Sequence, residues 1–333
     1  LVVGGGMGGT ILANNLARRL SGELEQGSSK ITMLSASDKH MYQPGLLYVA
    51  VGKMSTTELY RDQKSLLEPS IDFHVDPVEK FDLDNNSVTT KSGKKISYDI
   101  LCIATGSRGN AAGIPGLAEH ACQFYTEADA LAMYKKLQKF EGGKVVVATG
   151  VPHKCPMSPL EITFFLIDYF KKRGIWDKVD LHYTYPIGRV HSLEPVANWA
   201  APEFDKEGVT YETLFNMKEV VPGKVISEED SSAEFDLLVT VPPHKGQQVI
   251  EDNELGAGGF IPTDKKKLNM EGRENVFVLG DTTNLPISKA GSTAHFEAEA
   301  LGENIAALVQ QGEPVREYCL LYTSDAADEV QCV

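Results

Sequence analysis

The chain has no run of twenty apolar residues, no extended basic block and no pairing pattern among its five cysteines. Each lack removes a class of function. A helix that crosses a bilayer needs about 20 consecutive apolar residues, and the apolar runs here are strand-sized. Nucleic-acid binding needs a concentrated basic footprint. A formal net charge of −14, with basic runs no longer than Lys265-Lys266-Lys267, does not supply one. Cys102, Cys122, Cys155, Cys319 and Cys332 are widely spaced and form no C-x-x-C, so neither a disulfide framework nor a structural zinc site is expected, and no metal. No secretory leader is expected ahead of the first strand. A chain of 333 residues that is 42% hydrophobic is long enough for two ordinary domains.

The opening, LVVGGGMGGTILANNLARRL, reads as strand, glycine turn and helix, with Ile11, Leu12, Leu16 and Leu20 on one stripe. Gly4, Gly6 and Gly9 stand in G-x-G-x-x-G order. The first lets the chain turn, the second admits a pyrophosphate and the third lets helix approach strand. The next strand, residues 30–34, ends at Ser35, where an NAD-type fold carries an acid for the ribose hydroxyls. Residues 40–60 form an aromatic, glycine-containing segment that either covers a flat ring or is an ordinary surface connection. Residues 71–103 read as a β-meander with turns at Asp84-Asn85-Asn86 and Ser92-Gly93, ending in the Ala104-Thr105-Gly106 turn.

A second unit begins at Gly113 to Gly116 and runs to residue 243. Its first strand, 144–149, and a helix over 158–172 should flank a glycine-rich phosphate turn. The connection instead reads Val151, Pro152, His153, Lys154, Cys155, Pro156, Met157, so no dinucleotide is expected there. Ser158, Pro159 and Glu161 look like an N-cap, a first-turn proline and a capping-box acid. A cysteine ahead of a helix start, beside Lys154, is expected to favour thiolate and act as a nucleophile. The chain then returns through a strand at 276–279 to Gly280 and Asp281, whose carboxylate suits a polyol such as ribitol, and to a helix over 293–309.

The fold class expected is α/β: two doubly wound dinucleotide-binding-type domains, the second inserted in the first, with a β-meander. The boundaries expected are 1–112 with 244–318, and 113–243. The first strand reads as missing its beginning, and 319–333 reads as a non-native tail.

With Gly4, Gly6, Gly9, the Ala104 to Gly106 turn and Gly280-Asp281, residues 1–318 resemble the two-dinucleotide-domain flavoproteins. Within that group, His153-Lys154-Cys155-Pro156 with Glu161, and the run from Gly280 to Pro286, resemble the sulfide:quinone oxidoreductases. The resemblance implies FAD held at Gly4, Gly6, Gly9, Ser35, Thr105, Gly106, Gly280 and Asp281. It also implies that Cys155 works with a second cysteine beyond Tyr318 to oxidise sulfide to persulfide or polysulfide sulfur, that Glu161 moves protons, and that electrons pass through flavin to quinone. Glu161 as a plain capping residue stays open. The cysteine that holds flavin covalently in some relatives would fall near Tyr125, so non-covalent FAD is expected. NAD(P)H is not an expected partner. The family's C-terminal amphipathic region implies a peripheral place on a membrane, expected to be prokaryotic. Alternatives are a flavocytochrome c-type sulfide dehydrogenase, a type II NADH:quinone dehydrogenase and a non-catalytic flavin- or sulfur-binding protein.

Overall fold

Short β-branched runs that end at glycine become the strands of two parallel sheets. The computed structural model describes residues 1–318; the tail from Cys319, with the second-cysteine position and Cys332, lies outside them. The strands are β1 (Val2–Val3), β2 (Thr32–Ser35), β3 (Asp72–Val75), β4 (Leu101–Ile103), β5 (Ala121–Cys122), β6 (Gly143–Thr149), β7 (Val179–Tyr185), β8 (Thr210–Thr213), β9 (Leu237–Val241) and β10 (Val276–Val278). The first sheet has the order β10-β4-β1-β2-β3 and the second β5-β9-β6-β7-β8. All neighbours within both are parallel. Parallel strands need crossovers that cover both faces, which is why nearly every residue of β4, β9 and β10 is apolar and buried.

The second sheet lies entirely between β4 and β10 in sequence, as the insertion requires. Where the chain leaves the first sheet and where it comes back, Ser107–Gly109 and His244–Gly246 pair as an antiparallel ribbon. Helices α1 (Met7–Arg19), α2 (Glu127–Lys139), α3 (Ser158–Lys172), α4 (Glu194–Glu207) and α5 (Gly291–Gln311) complete the layers. Leu12 and Leu16 of α1 meet Leu301 and Ile305 of α5 over one face of the first sheet. Leu160, Leu166 and Phe170 of α3 and Phe204 of α4 cover the second.

The meander is Val78–Asp82, Ser87–Thr90 and Lys95–Ser97, antiparallel throughout. Asn86 and Gly93 take positive φ, 46° and 85°, at its two turns. Asp72–Val75, read with the meander, belongs elsewhere: it is the edge strand β3, parallel to β2. Its pairing is long-range, so local alternation does not reveal it. Residues 40–60 contain a short helix, Gly45–Ala50, between the paired strands Lys39–Met41 and Tyr60–Asp62.

The strand orders change direction between β1 and β4 and between β6 and β9. Ligands of open parallel sheets bind outside the carboxyl ends at such points. Gly4 to Gly6, Ala104 to Gly106 and Gly280-Asp281 all leave carboxyl ends of the first sheet.

Candidate redox site

These turns enclose a cavity of about 1030 Å³, whose wall includes Gly4, Gly6, Ser35, Thr105, Gly106, Cys155, Glu161, Gly280 and Asp281. That is the size of a large cofactor site. Gly9 lies behind the wall, where a β-carbon would come within 2.0 Å of the Gly4 carbonyl oxygen. At Gly4, φ is +120° and a β-carbon would meet the Ala104 oxygen at 2.2 Å. Gly6 differs. It caps α1 with ordinary φ of −77°, and a β-carbon there would meet nothing within 4 Å. Among the described residues nothing occupies the space beside Gly6. The first turn of α1 has no acidic residue and no side-chain cap, so its free amides and positive dipole end face the cavity, which fits a pyrophosphate. Ser35 is buried at the end of β2, its Oγ accepting from Ser37 N at 3.2 Å. Residues 40–60 supply Tyr42, Pro44, Leu46 and Leu47 to the same wall.

Cys155 reaches this cavity from the second sheet. It takes a left-handed φ of +61°, uncommon for a residue with a β-carbon. Its N–H donates to the Lys289 carbonyl at 2.7 Å, tying the loop after β6 to the segment before α5. Burial pushes the thiol above its ordinary value and Glu161 adds to the rise, while the amides of Ser158 and Met157 and the Lys154 ammonium oppose it. The expected preference for thiolate is thus overturned in the resting protein: desolvation outweighs the helix end.

The helix start differs from the capping box read in the sequence. Met157 takes the N-cap place without a side-chain cap, and Pro159 sits in the first turn. Ser158 is the first helical residue, and its hydroxyl donates back to the Cys155 carbonyl at 2.8 Å. With the Ser158 side chain turned that way, no reciprocal bond to Glu161 forms. Glu161 instead stands on the cavity wall, where desolvation raises its carboxyl above the usual range.

Lys154 does not reserve its charge for the thiol. Its ammonium lies 2.7 Å from Asp281 Oδ2, with both side chains largely out of solvent. Ser107 donates to the same oxygen at 2.8 Å. Burial works to raise the Asp281 carboxyl, but Lys154 and Ser107 outweigh it and hold it below its usual value. Behind this turn, the fully buried Glu297 accepts from Gly280 N at 2.5 Å. Burial pushes its carboxyl up to about 8. His153 and His244, close to the cysteine loop, are both held down near 4 by burial and are neutral at physiological pH. Among the described residues no group of three or more His, Cys, Asp or Glu side chains is placed to hold a metal ion.

Sequence reasoning missed Lys289, Ser107 and Glu297, and treated Tyr125 only as a place-holder. Lys289 and Ser107 are far in sequence from the residues they support, Cys155 and Asp281.

A model of the pyridine nucleotide-disulphide oxidoreductase family matches residues 1–300. Among characterised proteins, the mitochondrial sulfide:quinone oxidoreductase of Mus musculus is 27% identical, over 96% of this chain and 73% of its own length. The corresponding protein of Dictyostelium discoideum is 28% identical, over 92% and 70%. The crystal structure of the sulfide:quinone oxidoreductase of Aquifex aeolicus superimposes with a TM-score of 0.80 at 24% identity, covering 93% of this chain and 76% of that one.

Proposed function

Because the chain belongs to the pyridine nucleotide-disulphide oxidoreductase family, we propose that it is a flavin-dependent sulfide:quinone oxidoreductase with Cys155 as the sulfur-handling nucleophile. The observation that carries this is Cys155 on the wall of the cavity that Gly4, Gly6 and Asp281 also line. FAD bound there supplies a two-electron acceptor. Gly6 leaves room for its pyrophosphate against the amides of α1, and Asp281 and Ser35 are the polar groups available to its hydroxyls. Cys122 is buried and is not part of the wall, whereas Tyr125 is. The proposed binding is non-covalent, a reading that the position of Cys122 off the wall supports.

The cysteine's neighbours fit the sulfur chemistry. Cys155 thiol and hydrosulfide combine to a Cys155 persulfide, releasing one proton and two electrons. Glu161, raised in affinity for protons by the cavity walls, takes the proton. A protonated Glu161 no longer opposes negative charge on sulfur, so the Ser158 and Met157 amides then hold the thiolate better. Quinone accepts the two electrons with two protons, one equivalent to that held by Glu161 and one from solvent. The thiol is neutral at rest, so the nucleophile is a thiolate formed as Glu161 takes up its proton, and the sulfur–sulfur bond forms only as two electrons leave to the bound acceptor.

The site after β6 does not suit NAD(P)H. A β-carbon at Gly150 would lie 2.5 Å from Pro243, and Val151, Pro152 and His153 fill the place of a glycine turn. No helix of the described residues is long and apolar enough to cross a membrane, so quinone access implies a peripheral position. Similar proteins come from animal, amoeba and bacterium, so the likeness does not single out a prokaryotic membrane.

The test is Cys155→Ser in the full-length protein. Serine keeps size and polarity but cannot carry a persulfide, so FAD content stays normal while reduction of the flavin by sulfide falls by about 100-fold or more. Near-normal reduction of the flavin by sulfide in this variant would refute the role of Cys155.

A further inference from the structure

Cys155 holds a backbone conformation that side-chain-bearing residues rarely adopt, and something must hold it there. The peptide linking Lys154 to Cys155 is gripped by two hydroxyls. Tyr125 Oη lies 2.8 Å from the Lys154 carbonyl and 2.6 Å from Ser158 Oγ. Ser158 Oγ lies 2.8 Å from the Cys155 carbonyl. Three oxygen–oxygen contacts share two hydroxyl protons. Tyr125 donates to Lys154 and Ser158 to Cys155, or one hydroxyl donates to the other and a single carbonyl keeps its bond. In every arrangement the two hydroxyls touch, so loss of either disturbs the other.

The geometry points to Tyr125 as a positioning residue that, through Ser158, locks Cys155 so that its sulfur faces the amides of Met157 and Ser158. Several features make the tyrosine rigid enough for this. It stacks on Phe124 at 5.0 Å and meets the edge of His244 at 4.5 Å. Burial keeps its phenol firmly protonated, so the donor is present at every working pH. His244 is itself fixed, its Nδ1 lying 2.9 Å from the Pro242 carbonyl and 3.4 Å from Lys154 N. The consequence falls on the sulfur. Amide hydrogen bonds stabilise thiolate and not thiol, so a loosened loop gives up part of the opposition to burial and the thiol becomes still harder to ionise. The titratable groups facing Cys155 are Glu161, which raises the thiol, Lys154, which lowers it, and Tyr125 itself, kept protonated by burial; the charged groups Glu161 and Lys154 both remain when the two hydroxyls are removed.

This inference rests on the reading of Cys155 as the nucleophile, but its readout does not. The rate of alkylation of Cys155 by iodoacetamide, followed by mass spectrometry of its peptide in the full chain, is measured against pH for wild type, Tyr125→Phe, Ser158→Ala and the double variant. Cys102 and Cys122 are buried and serve as unreactive internal references. Each single variant is expected to move the profile to higher pH, slowing alkylation at pH 8 by about threefold or more, which is half a pH unit. The double variant is expected to move by less than the sum of the two single shifts, because the two hydroxyls are in direct contact. Unmoved profiles, a shift to lower pH or shifts that add would overturn the proposal. Should Tyr125→Phe fail to fold, Ser158→Ala decides alone, a moved profile supporting the lock and an unmoved one removing it. Failure of sulfide to reduce the wild-type flavin would count against the function and leave this result standing.

Discussion

Glu297 makes a measurable contribution at the scale of a single residue. It is wholly buried on α5, with one oxygen on Gly280 N and the other without a partner among the described residues. An acid raised from 4.5 to about 8 on folding binds its proton more tightly in the folded state. The unfolded chain therefore releases that proton first as pH rises. Stability is greatest below the unfolded value, declines as pH climbs through 4.5 to 8, and the full cost is present above it. Glutamine keeps the acceptor for Gly280 and removes the ionisation. Urea unfolding of Glu297→Gln should match or exceed wild type increasingly from about pH 5 to about pH 9, the difference growing by at least about 1 kcal/mol. A difference constant across that range would mean that Glu297 is ionised in the folded protein. No sequence pattern announces this group, because a glutamate inside a helix reads as a solvated face until the burial of that face is known.

At the scale of elements, the β1 turn and α1 separate two uses of glycine that look identical in the sequence. Gly4 is required by the fold, since φ of +120° and the Ala104 carbonyl leave no room for a β-carbon. Gly6 is not. Gly6→Val should therefore fold with stability within about 1 kcal/mol of wild type yet purify without yellow cofactor, whereas Gly4→Ala should lose several degrees of Tm. Thermal melts and the ratio of flavin to protein absorbance read both effects. Full flavin occupancy in Gly6→Val would remove the pyrophosphate from this turn. Elements with strong local signals were legible from residues alone: the glycine turn after β1 and Pro159 opening α3. Elements that depend on distant partners were not. β3 and the two-residue β5 become strands only through β2 and β9, and the expected capping box gave way to the Tyr125–Ser158 pair because tertiary bonds compete for the same hydroxyl.

The whole molecule joins two sheets of one design at a shared cavity, and only the first keeps a glycine turn. Cys155 from the second reaches the cofactor-sized space of the first, with Lys154 bonded to Asp281 across the junction. Placement of the cysteine could be read from the missing glycines, but the direction of its ionisation could not, since desolvation depends on walls contributed by both sheets. The electron donor is the property that follows from this asymmetry. Anaerobic stopped-flow reduction of the FAD-loaded, full-length protein, with sulfide in one set of mixtures and NADH in another, tests it most directly. The flavin absorbance should bleach rapidly with sulfide and stay essentially unchanged with NADH over the same interval. Bleaching by NADH at a comparable rate, or none by sulfide, would contradict the account.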